Sequence, residues 1–432
     1  MREQAGKPSD AMGRRVISVL AVVAMVIVVA ACGSSDDKNG RATLNWFIFN
    51  EPSGGVQAAA KKCSAASNGA YDIKFQYLPS QADAQREQLV RRLGAKDDTL
   101  DLLGLDVVWT GEFANAGWIE PVPASIRSDV TQNVFRSVLN TARVENKLYA
   151  VPIWSNTQLL WYRKDRVKQA PKTWAEMVKM AEQIGPAKGQ IQVQANKYEG
   201  LVVWANAMIA SAGTSFLSAP DKIALDPRRT QAALAAMGTM ARSPVAAPNI
   251  DTSTEDTARL GFESGSSSFM INYPFVYPSA KSNAPAVFKQ IAAAKYPGIT
   301  DGQPSKPPLG GINVAVSSYS KHKAAAFAAI KCLVQPENQL TIAKAGGLPP
   351  VRSDVYDRPA INGIYPGFAD IIRTSIRDAA PRPSESPAYQ DLSLAIQDAL
   401  HPATGIDPKN PQKTYNDLKD KVQQAIDRKG LL

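Results

Sequence analysis

Between residues 42 and 118, short apolar runs rich in β-branched and aromatic residues alternate with stretches patterned at helical spacing. That alternation, with short loops, restricts the chain to an α/β fold built on a mostly parallel sheet. "ATLNWFIFN" reads as a first strand and is followed by a helix over about 54–67. "YDIKFQYLP" is a second strand ahead of the helical "DAQREQLVRRLGAK", and "LDLLGLDVVW" a third ahead of "TGEFANAGW". Ligands of such sheets sit beyond the carboxyl ends of the strands. By that rule Asn50, Glu51, Gln85 and Asp106 face one crevice.

After "KLYAVPIWSNTQLLWYRKD" the helices lengthen. "TWAEMVKMAEQI" opens with Thr173 and Glu176 in capping-box spacing. "GFESGSSSFMINYPFVY" is a helix end leading into a buried strand, and a strand returns at "GGINVAVSS". Cys63 and Cys332 sit on the helical stretches "GVQAAAKKCSAAS" and "KAAAFAAIKCLVQ". If bridged, they bring the segment near 330 back to the first lobe; otherwise they are two buried thiols. The expected division is lobe one over 43–150 plus 312–348 and lobe two over 151–311 plus 349–432. Two lobes joined by several crossovers, with a cleft between them, form a hinge-closing binder.

The amino terminus fixes the compartment. Arg14-Arg15 precedes "VISVLAVVAMVIVVAA", an apolar run of sixteen residues that suits a signal peptide over 1–31 better than a spanning helix. "VAAC" resembles a bacterial lipobox, which makes Cys32 the lipidated first residue of the mature chain and 32–42 a polar tether. The alternative is an ordinary secretory signal that happens to carry a cysteine. Lipidation places the protein outside the cytoplasm, anchored to the outer face of the cell membrane rather than crossing it.

Several function classes lack a signal. The net charge of +10 is scattered over helices such as "DRVKQAPK", without the concentrated face of a nucleic-acid binder. His322 and His401 are the only histidines, and neither has metal-ligand spacing. No P-loop, GxGxxG or GxSxG occurs. No cofactor, metal or nucleic-acid partner is therefore expected.

The stretches "LDVVWTGEFANAGWIEPV", "YAVPIWSNTQLLWYRKD", "FESGSSSFMINYPFVY", "GGINVAV", "GGLPPVRSDVY" and "RPSESPAYQDLSLAI" resemble the family-1 solute-binding lipoproteins of sugar ABC importers over nearly all of the mature chain. "YEGLVVWANAMIASAG", "NTQLLWYRKD" and the two core cysteines are closest to the trehalose-binding branch of that family. The resemblance implies a periplasmic-binding-protein-like α/β fold, with two lobes of mixed sheets flanked by helices and a multi-strand hinge. It also implies a monomer that binds a small sugar and delivers it to ABC permease transmembrane subunits driven by a cytoplasmic ATPase. Position by position, it places Gln85, Asp106, Asn156, Glu263, Tyr273, Gly310, Gly311 and Arg382 along the sugar cleft. Tyr273 stands where the wider family usually has tryptophan, and "FNEPSGG" departs from the trehalose-binding loop.

The residue types suit a polyhydroxylated ligand, because carboxylates and amides answer hydroxyls while rings answer C–H faces. Each also has a plainer reading. Asp106 is an acceptor for sugar or a helix N-cap, and Asn156 a ligand amide or a turn residue. Tyr273 and Trp204 are stacking platforms or core aromatics. Arg382 reaches ligand or Asp106, or else forms a surface salt bridge. Gly310 and Gly311 admit close backbone approach or merely open a strand. Tyr198 and Glu199 could reach the cleft from the second lobe, although nothing in their spacing decides it. The alternatives are a binder of another di- or oligosaccharide and a secreted glycoside hydrolase using Glu51, since Asn50-Glu51-Pro52 resembles the acid motif of barrel hydrolases. Such an enzyme needs a second carboxylate opposite Glu51, and in barrels the motif lies midway along the strands rather than on the first.

Overall fold

The computed structural model describes residues 40–427, so the signal segment and Cys32 lie outside the described residues. In chain order the strands of the two principal sheets are β1 (Ala42–Phe49), β2 (Tyr71–Leu78), β3 (Leu102–Asp106), β4 (Val151–Asn156), β5 (Leu159–Arg163), β6 (Gln190–Gln192), β7 (Ser267–Asn272), β8 (Ile291–Ala294) and β9 (Gly310–Val316). The first sheet has the order β2-β1-β3-β9-β4 and the second the order β8-β5-β7-β6.

The alternation in the first hundred residues produces the parallel pairs of β1 with β2 and β3, in the register Trp46↔Phe75 and Trp46↔Leu102. The sheet is nevertheless mixed. β9 returns from the second lobe and slots between β3 and β4, antiparallel to both. β9 is buried on both faces apart from Gly311. A strand covered on both sides lacks the apolar–polar alternation that would have betrayed its direction.

The second sheet separates two cores with period-two regularity. Leu160 on β5 and Phe269 and Ile271 on β7 enter one cluster with the helices Glu199–Ser211 and Pro227–Ala241. Leu159, Trp161 and Met270 enter another with Tyr365, Ile372 and Ile376. A third cluster surrounds the first sheet, with Leu44, Trp46, Leu103 and Val314 at its centre. Thr173 caps the helix Trp174–Ile184 by accepting from Glu176 N at 3.1 Å, as its spacing predicts. The Glu176 carboxylate reaches Lys172 N instead of closing the box on Thr173.

The chain passes between the sheets at residues 156–159, 309–310 and 347–350, and these passages are hydrogen-bonded side by side. Gly310 pairs with Asn156 and Gly311 with Ser155, while Ser155 N donates to Pro349 O at 2.9 Å. Gly311 has φ +132°, and a Cβ there would lie 2.4 Å from Trp154 O, so only glycine fits this pairing. Gln339 links strand and passage, donating to Ile153 O and accepting from Val351 N. Cys63 and Cys332 are bridged, joining the helices Gly55–Ala66 and Lys323–Leu333 beside the first sheet. Among the described residues no helix is long and apolar enough to cross a membrane.

Candidate functional site

The carboxyl ends of the first sheet meet the second lobe at a group of ionisable side chains organised by Arg382. Two prolines, Pro381 and Pro383, flank Arg382 and favour an extended backbone there. The Asn206 amide donates to the carbonyls of Ala380 and Pro381, both at 3.3 Å. Ala380 is further tied to the passage before β9 through Leu309 N at 3.1 Å and Pro307 O at 2.8 Å. So anchored, the guanidinium is 2% exposed and points one Nη at each lobe. Nη2 donates to Asp106 Oδ1 at 2.8 Å, at the end of β3, and Nη1 donates to Glu199 Oε1 at 2.5 Å, at the start of a second-lobe helix.

Glu199 is saturated by its neighbours. Tyr389 and Arg382 donate to Oε1, and Ser393 donates to Oε2 at 2.5 Å. Burial lifts its pKa above the ordinary carboxylate value despite the pull of Arg382, with Asp106 adding to the rise. Burial alone would lower Arg382, but Asp106, Tyr389 and Glu199 beside it hold its pKa well above the usual value. Two further carboxylates complete the group. Asp83 reaches the Gln390 side chain and the Glu199 backbone across the cleft, and burial raises its pKa. Glu255 accepts from the Tyr198 hydroxyl at 2.8 Å and is likewise raised by burial.

Both acceptors and donors remain unfilled here, and Arg382 Nε is among the donors. Asp106 Oδ1 takes both Arg382 and Val108 N, which leaves Oδ2 free on a side chain 21% exposed. Asn156 Oδ1 is buried without a partner. The Tyr273 hydroxyl makes no hydrogen bond within the described residues; burial and the nearby Glu255 raise its pKa, so it stays a neutral donor. Gly310 keeps the space in front of Asn156 and Tyr273 clear, since a Cβ there would lie 3.5 Å from Asn156 Cβ and 3.9 Å from Tyr273 Cε1. The arrangement offers a polyhydroxylated ligand acceptors from two strand ends of the first sheet and one aromatic hydroxyl from the second.

Asp106, Asn156, Tyr273, Gly310 and Arg382 come together here, and Gly311 supports them through strand pairing. Other expected positions stand apart. Trp204 is 1% exposed and packs against Trp174 with ring centroids 5.8 Å apart, so it is core rather than platform. Glu263 is held by Arg259 at 2.8 Å and Ser279 at 2.7 Å, and the carboxylate its helix contributes to the group is Glu255 instead. Gln85 is 5% exposed and donates to Ser80 O at 3.1 Å. Glu51 is 7% exposed, its carboxylate turned onto Ser53 N at 3.1 Å and the Ser53 hydroxyl, while Asn50 beside it is exposed. Sequence reasoning missed Asp83 and Glu255, which occupy first turns of helices, where a carboxylate is favoured by the backbone alone. A separate cavity of about 400 Å³ on the second lobe is lined by Lys172, Lys295, Tyr296, Lys306 and Asp378 but by none of the cleft carboxylates. Among the described residues no His/Cys/Asp/Glu group is arranged to hold a metal ion.

Comparison with known proteins gives this geometry a family context. The sequence profile described as bacterial extracellular solute-binding protein matches residues 58–364. A probable ABC transporter-binding protein of Deinococcus radiodurans is 28% identical over 82% of this chain and 85% of its own length. A maltotriose-binding protein of Pyrococcus abyssi is 27% identical over 61% of this chain and 58% of its own. Among solved structures, maltose-bound T. maritima MalE3 superposes with a TM-score of 0.80 at 24% identity, covering 88% of this chain and 99% of that one. These relatives are substrate-binding proteins rather than enzymes, and the fold is the two-lobed mixed α/β fold they share.

Proposed function

The chain belongs to the bacterial extracellular solute-binding proteins, and on that premise we propose that it captures one disaccharide, trehalose foremost, between its lobes for an ABC importer. The observation that carries the reading is the meeting of unfilled acceptors, Asp106 Oδ2 from one lobe and Asn156 Oδ1 from the passage, with the free hydroxyl of Tyr273. Sugar hydroxyls both donate and accept, so they can satisfy these groups together, and the ring of Tyr273 offers a face for C–H contact. The maltotriose and maltose in the names of relatives support a glucose-containing ligand. The similarity of "YEGLVVWANAMIASAG" and "NTQLLWYRKD" to the trehalose-binding branch supports trehalose among them.

In mechanism, ligand bonds to both lobes exist together only when the cleft is closed. That difference in affinity is what biases the hinge, because a ligand shifts an equilibrium only by its differential binding. The paired passages at 156–159, 309–311 and 347–350 serve as the hinge between the two lobes. The closed form then docks as a monomer on the permease subunits, whose cytoplasmic ATPase supplies the work. Cys32 carries the lipid that keeps the protein at the outer membrane face. Glu51 does no chemistry; its carboxylate holds the turn ahead of the helix Gly55–Ala66.

A thermal-shift screen of the unlipidated protein against a panel of disaccharides tests this. A ligand at 100 times its Kd stabilises the folded state by about 2.7 kcal/mol. A rise in Tm with trehalose supports the proposal in full. A rise with another disaccharide alone replaces trehalose, and a flat response to every sugar refutes the sugar-binding reading.

A further inference from the structure

We infer that the cleft is charge-selective: it excludes phosphorylated and carboxylated sugars and favours a sugar that bears an ammonium group. This rests on the sugar-binding reading above and specifies the substrate class of the same site.

Fixed charge and hydrogen-bonding capacity around the ligand position set the selectivity. Carboxylates arrive from four separate elements. Asp83 comes from the helix Ala82–Gly94, Asp106 from the end of β3, Glu199 from the helix Glu199–Ser211, and Glu255 from the helix Glu255–Glu263. They interact with one another: Asp106 acts on Asp83, Glu199 and Glu255 alike, so the four share one field. Arg382 is the cation within the group. Arg86, the other cation that acts on Asp83, is neutralised by a two-point pair with Glu112 at 2.7 and 2.5 Å. Lys172, Lys295 and Lys306 of the second lobe line the separate cavity, where the last two act on Asp378.

Arg382 cannot be recruited to balance an incoming anion. Both of its Nη groups are engaged with Asp106 and Glu199, and its Nε, although unpartnered, is buried on a side chain only 2% exposed. An anionic ligand would therefore face uncompensated carboxylates in a site partly shielded from water, where like charges are screened least. The hydrogen-bonding inventory points the same way. Of the unfilled groups, Asp106 Oδ2 and Asn156 Oδ1 only accept, and the Tyr273 hydroxyl is the donor within reach of a ligand. A phosphate or carboxylate offers acceptors alone at neutral pH, whereas an ammonium offers donors alone. Glu255 is the adjustable member of the set: Glu255→Gln removes a charge but keeps an oxygen for the Tyr198 hydroxyl.

The experiment is titration calorimetry of the unlipidated protein with four ligands: trehalose, its 6-O-methyl ether as a bulk control, its 6-phosphate and its 6-amino-6-deoxy derivative. Measurements are made at low and at high salt. The 6-phosphate is expected to bind at least ~100-fold more weakly than the methyl ether, and the amino sugar up to ~10-fold more tightly. Both differences should shrink in high salt, and Glu255→Gln should narrow the phosphate gap by about tenfold. Phosphate binding within threefold of the methyl ether, or a gap unchanged by Glu255→Gln, overturns charge selectivity while leaving the sugar-binding reading intact. Failure of all four ligands to bind overturns the inference together with the trehalose assignment on which it rests.

Discussion

Replacing Arg382 with methionine separates the electrostatic role of this side chain from its bulk. The guanidinium bridges Asp106, whose side chain is 21% exposed, and Glu199, whose side chain is 9% exposed. Water can re-solvate Asp106 in the variant, so most of the loss falls on Glu199. Stranding a buried charge by removing its partner costs about 3–5 kcal/mol. With an unfolding entropy near 2.1 cal/mol/K per residue, a chain of this size loses roughly 4–6 °C in Tm for that energy. The loss should also depend on pH in a defined direction. Burial already holds Glu199 above its ordinary pKa in the folded protein, and without Arg382 it rises further. A carboxylate raised on folding binds its proton more tightly in the native state, so stability falls as pH climbs from the unfolded value through the folded one. Arg382→Met should therefore be nearly harmless below about pH 4.3, with a deficit that grows as pH rises toward neutrality. Differential scanning calorimetry of the single variant and of Arg382→Met/Glu199→Gln across pH reads this out. The double variant should recover more than half of the deficit at neutral pH. An equal loss at acid and neutral pH, or no recovery in the double variant, refutes the account of Glu199 as a stranded charge.

Asp106→Ala should weaken sugar binding by roughly 10- to 150-fold, the range for losing a hydrogen bond to a charged group, with circular dichroism unchanged; wild-type affinity would remove Asp106 from the site. Gly310→Val places its Cβ in ordinary contact with Asn156 and Tyr273, so the fold should survive while calorimetry shows at least ~10-fold weaker binding as the added methyls fill the cleft. The Cys63→Ser/Cys332→Ser variant should lose about 2–4 kcal/mol in urea unfolding with sugar affinity within about twofold of wild type, and a large affinity change would tie the bridge to the cleft.

The α/β class and the positions of the early strands were legible because the run from Ala42 to Asp106 alternates patterns cleanly. Asp106 was legible for the same reason: it ends a strand, where such sheets place ligands. The direction of β9 was not, because burial on both faces erases the pattern that distinguishes strands. Trp204 illustrates the ambiguity of aromatics on a helix buried on nearly all sides, where no polar face indicates which way a ring points. Glu51 failed for a local reason: a carboxylate two residues before a serine can close on that serine's backbone and hydroxyl. Asp83 and Glu255 were hidden by competing explanations, since acids at helix starts need no ligand to justify them. Arg382 and Glu199 lie 183 residues apart in the chain, and only the fold puts them on one another.

On the proposed function, one disaccharide sits where Asp106, Asn156, Tyr273 and Gly310 converge beside Arg382. A crystal structure of the complex, grown with the sugar that gives the largest thermal shift, tests it most directly. The expected result is a single sugar between the lobes, donating hydroxyls to Asp106 Oδ2 and Asn156 Oδ1 and accepting from Tyr273. Sugar bound in the lysine-lined cavity instead, or a cleft that stays filled with water at saturating ligand, would contradict it.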